Sequence, residues 1–304
     1  MLPLPEIKIP IIPIPLENSS VSLYIKREDE VNKAISGNKY WKLFYNVNQY
    51  LELNPTEPML ISFGGAYSNH IAALAALGKD FGIQTLGIIR GEELEERWAE
   101  NPTLRLAAEC EMQFCFVSRA LYRDKESLAE SFKNQYPNAL IIPEGGTNLQ
   151  AVEGVKYMLN ADTQDFDYIC TAVGTGGTVA GLSKFAECHQ QVLGFKVVKD
   201  ASLSEVVSRL SRRENITLFE ASYGGYGKVS DEVIGFINAF QRRYQILLDP
   251  IYTGKMMMKL LELIEAGYFP KGSKILAFHT GGLQGILGAN QMLKQQNRPC
   301  IDII

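Results

Sequence analysis

The chain has 304 residues, 46% of them hydrophobic and 21% charged, which is ordinary for a folded protein with room for two domains. The net charge of −4 and the lack of a basic block give no sign of a nucleic-acid partner. The apolar N-terminal segment contains five prolines and no basic leading region. This pattern excludes a signal peptide or spanning helix, so we expect an extended arm packed on the body and no membrane partner.

The sulfur and imidazole residues give no metal signal. The five cysteines are odd in number and match no zinc spacing, so we expect reduced thiols in a cytoplasmic protein. The three histidines lie far apart and share no ligand motif, so we expect no metal. His279 stands between a strand and two glycines, where a structural role is the commoner one.

Short apolar runs alternate with helical patterns along the chain. Strands are predicted at 59–63, 85–89, 113–117, 139–142, 168–173, 194–198, 217–220 and 274–278. Helices are predicted from Ser68 or Asn69 to Gly78, at 102–109, from Val179 onward, and at 255–266. This alternation predicts an α/β fold of open, mostly parallel sheets with helices on both faces, and domain boundaries near 50 and 150.

A glycine-rich loop, Val173-Gly-Thr-Gly-Gly-Thr-Val-Ala-Gly181, follows a strand and opens a helix. Glycines let the backbone approach an anion, and the helix start supplies free N–H groups. The loop lacks the lysine of a P-loop and the GxGxxG spacing. Taken alone, it is equally compatible with a phosphate cradle and with a turn that binds nothing.

A second signal is Ser36-Gly-Asn-Lys39, near a helix start. Burial lowers the pKa of a lysine and makes its amine a nucleophile toward carbonyls. For a lone lysine, a solvated surface charge is the commoner role.

Two further segments add polar groups. Gly64-Gly-Ala-Tyr-Ser-Asn-His70 suits a carboxylate, although a capped helix explains it without a ligand. The tyrosines of 223–227 and 249–255 are more often packing residues when taken alone. Together, a phosphate cradle, an imine-forming lysine, a carboxylate site and nearby tyrosines are what a pyridoxal phosphate enzyme needs.

These motifs, with Asn101-Pro-Thr-Leu104, Pro143-Glu-Gly-Gly-Thr-Asn148 and His279-Thr-Gly-Gly282, resemble the family of 1-aminocyclopropane-1-carboxylate deaminase and D-cysteine desulfhydrase. They occur in family order and span nearly the whole chain. The resemblance implies the tryptophan-synthase-β-like fold (fold type II), with residues 1–50 and 150–304 forming the larger domain. Residues 51–149 would form the smaller domain, with the active site in the cleft. It also implies a homodimer.

The resemblance implies how pyridoxal 5'-phosphate is bound. Lys39 would bind it through an imine, and Asn69 would hydrogen-bond its phenolic oxygen. Thr253 would face the pyridine nitrogen. The phosphate would be held by Gly174, Thr175, Gly176, Gly177 and Thr178.

The resemblance also implies how a small amino-acid substrate is handled. Its carboxylate would be bound by Ser68, Asn69 and His70, and Ser68 would also relay protons. Lys39 would remove the α-proton. Tyr226 and Tyr252 would be the two active-site tyrosines, which orient or protonate.

Thr253 departs from the deaminase pattern, which has Tyr-Glu-Gly-Lys where this chain has Tyr-Thr-Gly-Lys. A glutamate favours a protonated ring, whereas a threonine brings no charge. Threonine is typical of the desulfhydrase branch, so we expect conversion of D-cysteine to pyruvate, hydrogen sulfide and ammonia. The alternatives are a 1-aminocyclopropane-1-carboxylate deaminase giving 2-oxobutanoate and ammonia, an amino-acid racemase or dehydratase, and a non-catalytic phosphate binder.

Overall fold

The computed structural model describes residues 2–5, 7–225 and 227–303, so the predicted catalytic residue Tyr226 lies outside the described residues. The strands are β1 (Ile11–Ile14), β2 (Ser22–Lys26), β3 (Met59–Gly64), β4 (Gln84–Arg90), β5 (Gln113–Val117), β6 (Leu140–Ile142), β7 (Tyr168–Val173), β8 (Gln191–Lys196), β9 (Ile216–Glu220) and β10 (Lys274–Phe278). The α-helices are α1 (Asn38–Glu52), α2 (Asn69–Phe81), α3 (Pro102–Glu109), α4 (Lys125–Gln135), α5 (Leu149–Val155), α6 (Gly177–Phe185), α7 (Leu203–Ser211), α8 (Asp231–Tyr244), α9 (Thr253–Glu265) and α10 (Gly285–Gln295).

The strands form two sheets. The larger has the order β1-β2-β10-β7-β8-β9, and the smaller has the order β5-β4-β3-β6. The strand pairs are parallel apart from β1 with β2. The predicted α/β class with mostly parallel sheets is therefore confirmed.

The larger sheet buries side chains on both faces. Along β7, Ile169 belongs to one hydrophobic cluster and Cys170 to the other, and along β10 Leu276 and Ala277 divide in the same way. Successive side chains of a strand point to opposite faces, so apolar residues at consecutive positions indicate a sheet covered by helices on both sides. This double burial explains the unbroken apolar runs in the sequence.

The N-terminal arm packs on the body, as expected. Its strand β1 pairs antiparallel with β2, with Pro13 opposite Tyr24. Since proline lacks an N–H group, it is confined to positions such as this edge of a sheet.

Strand β8 differs from its predicted range, because it begins at Gln191 and not at Gly194. Val192 and Leu193 are buried in the strand. Because the polar residues Gln190 and Gln191 precede this apolar pair, the hydrophobic pattern of the sequence did not show where the strand begins.

Within the described residues, no helix is long and apolar enough to cross a membrane. The same residues contain no cluster of three histidine, cysteine or acidic side chains suited to a metal ion. The five cysteines, all of them described, are free thiols.

Candidate active site

A cavity of about 670 Å³ lies at the carboxyl ends of β3, β7 and β10, where α1, α2, α6 and α9 begin. Ligands of open parallel sheets bind at this edge, because the loops and helix starts converge there. Lys39, Ser68, Asn69, His70, Tyr252 and the loop 174–178 line this cavity, so the structure brings together residues that are far apart in the sequence.

Lys39 stands at the start of α1, after a turn that requires glycine. Gly37 has a φ of 69°, and a Cβ there would lie 2.0 Å from the carbonyl oxygen of Thr280. The Nζ of Lys39 donates to Asn38 Oδ1 at 2.9 Å. Burial lowers the pKa of Lys39 to about 8, although the negative charge of Asp249 raises it. A larger share of Lys39 is therefore neutral near pH 7 than of an exposed lysine.

The loop 174–178 joins β7 to α6. The N-cap of α6 is Gly176, and no side chain caps this end, so the first N–H groups of the helix have no side-chain partner. Asn38 Nδ2 donates to Thr178 Oγ1 at 2.6 Å, which ties the loop to the lysine turn. This is the geometry that binds a phosphate group.

Lys42 also lines the cavity, although no sequence motif predicted a role for it. It lies one helical turn after Lys39, and its Nζ donates to the carbonyl oxygen of Gly145 and to Thr147 Oγ1. A Cβ on residue 177 would lie 3.1 Å from that Nζ, so the amine adjoins the glycine loop. Burial lowers the pKa of Lys42, and the charge of Lys39 lowers it further. The i, i+3 spacing of the two lysines was the signal that could have revealed it.

The carboxylate-binding candidates lie at the start of α2. Ser68 is the N-cap, and its Oγ accepts from the N–H of Ile71 at 3.3 Å. Its hydroxyl hydrogen remains available for a ligand. Asn69 Oδ1 accepts from Gln284 Nε2 at 2.6 Å, which orients the amide. Asn69 Nδ2 lies 2.6 Å from where a Cβ of Gly282 would stand, beside the cavity.

His70 is held in one tautomer. Ser62 Oγ donates to the carbonyl oxygen of Ile142 at 2.7 Å, so it must accept from His70 Nε2 at 2.8 Å. The buried Nδ1 then carries a lone pair and has no hydrogen-bond partner among the described residues. Burial lowers the pKa of His70 well below its usual range, and the charges of Lys39 and Lys42 lower it further. The neutral ring can therefore accept a hydrogen bond but has no N–H free to donate, so the predicted contact of His70 with a carboxylate falls to its backbone N–H.

Thr253 is placed differently from expectation. Thr253 is fully buried and does not line the cavity, whereas Asp249 does. Thr253 Oγ1 donates to Asp249 Oδ1 at 2.8 Å and accepts from the N–H of Asp249 at 2.9 Å. The hydroxyl of Thr253 therefore serves first to fix Asp249.

Both carboxylate oxygens of Asp249 already accept hydrogen bonds from within the protein. Its Oδ1 also accepts from the N–H of Thr253, and its Oδ2 accepts from the N–H groups of Ile251 and Tyr252. Each oxygen thus accepts two hydrogen bonds, which uses the usual capacity of a carboxylate.

Of the two predicted active-site tyrosines, Tyr252 belongs to the residues that the structure describes, and it lies beside the loop 174–178. Tyr252 Cε1 stands 3.0 Å from where a Cβ of Gly174 would be.

His279 is buried, its Nε2 bonds to the carbonyl oxygen of Leu247 at 2.7 Å, and its Nδ1 accepts from the N–H of Gly281 at 3.3 Å. Both nitrogens of His279 are satisfied, which agrees with a structural role.

A family model described as "pyridoxal-phosphate dependent enzyme" matches residues 3–281. The chain belongs to this family of pyridoxal-phosphate dependent enzymes. The predicted family, fold type II class and cofactor are therefore confirmed.

Named relatives of this pyridoxal-phosphate dependent enzyme agree with that assignment. A putative 1-aminocyclopropane-1-carboxylate deaminase of Pyrococcus horikoshii is 31% identical over 286 residues, covering 86% of this chain and 85% of the relative. A 1-aminocyclopropane-1-carboxylate deaminase of Rhizobium rhizogenes is 29% identical over 302 residues, covering 88% and 89%.

Solved structures also resemble it. An ACC deaminase homologue superposes with a TM-score of 0.80 at 27% identity, covering 96% of this chain and 95% of that one. A hydrogen sulfide-producing enzyme of Fusobacterium nucleatum superposes with a TM-score of 0.68 at 14% identity, covering 91% and 96%. The latter likeness shows the fold alone.

The cavity residues suit pyridoxal phosphate. Lys39 offers an amine for its aldehyde, and the start of α6 together with Lys42 offers donors for its phosphate. The amide of Asn69, fixed by Gln284, offers a donor for its phenolic oxygen.

Proposed function

We propose that this pyridoxal-phosphate dependent enzyme removes the thiol of D-cysteine by β-elimination, giving pyruvate, ammonia and hydrogen sulfide. The observation that carries the proposal is the Asp249–Thr253 pair. Position 253 brings no charge, and both oxygens of Asp249 already accept two hydrogen bonds. This corner therefore has no free carboxylate for the pyridine nitrogen. A weaker electron sink favours a reaction in which the departing sulfur takes up the electrons.

Lys39 is the proposed base. Bound pyridoxal phosphate supplies a carbonyl for the substrate amine and a ring that withdraws electrons from the α-carbon. The Lys39 amine, whose pKa burial lowers to about 8, takes the α-proton while the C–S bond breaks. The electron pair of the C–S bond leaves with the sulfur. The 2-aminoacrylate released adds water and yields pyruvate and ammonia.

The start of α2 is the proposed carboxylate site. The N–H groups of Asn69 and His70 are the first of the helix and lack partners within it. The Ser68 hydroxyl adds a donor on the same side. Its position at the cavity also supports the proposed proton relay.

The second candidate is a 1-aminocyclopropane-1-carboxylate deaminase, which the names of the relatives from Pyrococcus and Rhizobium favour. Ring opening of the cyclopropane has no leaving sulfur, so it depends more on a protonated pyridine ring. The threonine at position 253 weighs against it.

One assay separates the two candidates. The holoenzyme is given D-cysteine, L-cysteine and 1-aminocyclopropane-1-carboxylate in turn, and keto acid, ammonia and sulfide are measured. We expect pyruvate and sulfide in equal amounts from D-cysteine. Release of 2-oxobutanoate from the cyclopropane acid without sulfide from D-cysteine overturns the proposal in favour of the deaminase.

We also propose that the enzyme works as a homodimer in the cytoplasm. The family resemblance supports the dimer, and the free thiols of the described cysteines suit a reducing compartment. Light scattering on the purified holoenzyme tests the dimer, which a monomeric mass contradicts.

A further inference from the structure

Residues 222–225 and 227 belong to a glycine-rich segment, and Gly227 lines one end of the cavity. Its backbone is unusual, because Tyr223, Gly224, Gly225 and Gly227 all have positive φ values, of 40°, 96°, 120° and 73°. A Cβ on Gly224 or Gly227 would meet nothing within 4 Å, so these glycines are not required by close packing. The segment therefore needs other contacts to keep one position.

Lys255 supplies the first of these contacts. It lies in the first turn of α9 and is fully buried, and its Nζ donates to the carbonyl oxygens of Ser222 at 2.9 Å and Gly225 at 3.0 Å. Among the described residues this Nζ forms no salt bridge, and burial lowers its pKa although the negative charge of Asp249 raises it. A buried ammonium without an ion pair is costly, so its bonds to two carbonyls of one segment indicate a dedicated role.

The same helix supplies the second contact. Tyr223 OH donates to Glu262 Oε1 at 2.5 Å, and Lys259 Nζ bonds to Glu262 Oε2 at 2.8 Å. Lys255, Lys259 and Glu262 follow the i, i+4, i+7 spacing of one helix face. This face of α9 thus holds the segment, while the start of α9 bears the cavity residue Tyr252.

We propose that Lys255 is a positioning residue that holds residues 222–225 in place and so keeps Gly227 at the cavity wall, where it helps to enclose the substrate next to Lys39. The proposal rests on the proposed function for what is enclosed, but the closure is a property of the chain alone. Lys255 donates both of its hydrogen bonds to backbone carbonyls and acts through the segment they belong to. In the sequence, Gly225 is followed by Tyr226, one of the predicted catalytic residues.

The test compares Lys255→Met with Lys259→Met, a matched loss of a lysine one turn along the same face. Hydrogen exchange of the holoenzyme without substrate is followed in peptides covering 221–229 and α9. We expect Lys255→Met to speed exchange in 221–229 about tenfold, while α9 keeps its protection, since two hydrogen bonds to the segment are lost. Lys259→Met loses the ion pair with Glu262 but keeps the bond from Tyr223 to Glu262 and both bonds from Lys255, so it should change exchange by less than about threefold.

Kinetics gives the second readout. With D-cysteine, Lys255→Met should raise KM about tenfold and lower kcat less than about threefold, and Lys255→Arg should restore part of KM. Unchanged exchange in 221–229 overturns the proposal. If Lys255→Met does not fold, Lys255→Gln is measured in the same way, with the same outcomes. Because exchange is measured without substrate, an enzyme inactive on D-cysteine contradicts the proposed function and leaves the closure testable.

Discussion

Asn38 and Thr178 join the two halves of the candidate cofactor site, because Asn38 Nδ2 donates to Thr178 Oγ1 at 2.6 Å although the residues are 140 positions apart. One belongs to the first turn of the lysine helix α1, and the other to the first turn of α6. The lysine and the phosphate loop are therefore fixed relative to each other before a ligand binds.

Replacing Asn38 should weaken this preorganisation. Asn38→Ala removes the bonds to Thr178 and to Lys39, so we expect pyridoxal phosphate to bind the apoenzyme about tenfold more weakly. Fluorescence titration measures the affinity. Asn48→Ala is the control, because Asn48 lies in the same helix and bonds instead to Leu2. An unchanged affinity in Asn38→Ala contradicts the prediction.

Loss of the lysine should abolish chemistry. We expect Lys39→Ala to lack the visible imine absorbance of the wild-type holoenzyme and to lose at least about a thousandfold in kcat, since the proposed base is gone. The exposed Lys33, six residues earlier, is the control, and Lys33→Ala should match the wild type. If Lys39→Ala kept both the absorbance and the activity, the central assignment would fail.

The depressed pKa of Lys39 should appear in the capture of the cofactor. Only the neutral amine attacks an aldehyde, so the rate at which apoenzyme captures pyridoxal phosphate should rise with pH and level off above about 8. An ordinary lysine, with a pKa near 10.5, would show a continuing rise. Stopped-flow absorbance between pH 6 and 10 measures the profile, and a rate that still rises steeply at pH 10 contradicts the prediction.

Gly37 and Gly235 should respond in opposite ways to alanine. At Gly37 the positive φ and the carbonyl oxygen of Thr280 both exclude a Cβ, so we expect a loss of roughly 2–5 kcal/mol in the free energy of unfolding. Gly235 lies within α8, where a Cβ meets nothing within 4 Å, and Gly235→Ala should gain up to about 1 kcal/mol. Urea denaturation of the apoenzyme checks both, and equal stabilities would show that the Gly37 turn relaxes freely.

Thr253 should control the reaction through its hydroxyl and its lack of charge. Thr253→Ser keeps the hydroxyl, so sulfide release from D-cysteine should stay within about threefold of the wild type. Thr253→Glu removes the hydrogen bond to Asp249 and adds a carboxylate, and we expect at least about a tenfold loss. Initial rates of sulfide formation measure both. A fully active Thr253→Glu enzyme argues against the proposed role of the Asp249–Thr253 pair.

Much of the sheet framework follows from local pattern. Strands β3, β5, β7 and β10 lie within one residue of their predicted ranges, because each is a short apolar run bounded by turn residues. Strand β2 and several helices were not predicted. Helix α4, for instance, has no fully buried residue, so its sequence carries little apolar periodicity.

The site was predictable in its motifs but not in its contacts. The glycine loop, Lys39 and the start of α2 are local signals, and the cavity unites them. The tautomer of His70 depends on Ser62, whose hydroxyl reaches the carbonyl oxygen of Ile142 only because β3 pairs with β6. The bond from Thr253 to Asp249 is local, but the sequence does not show that Asp249, and not Thr253, lines the cavity.

The contact of Gly37 with Thr280 also bears on the order of events during protein synthesis. Helix α1 is synthesised long before Thr280, so the backbone that packs behind its first turn is missing until that residue follows. A nascent chain that stops before Thr280 carries the lysine without its support. We therefore expect the cofactor to be captured only after Thr280 has been synthesised, and chains that stop before it to remain colourless.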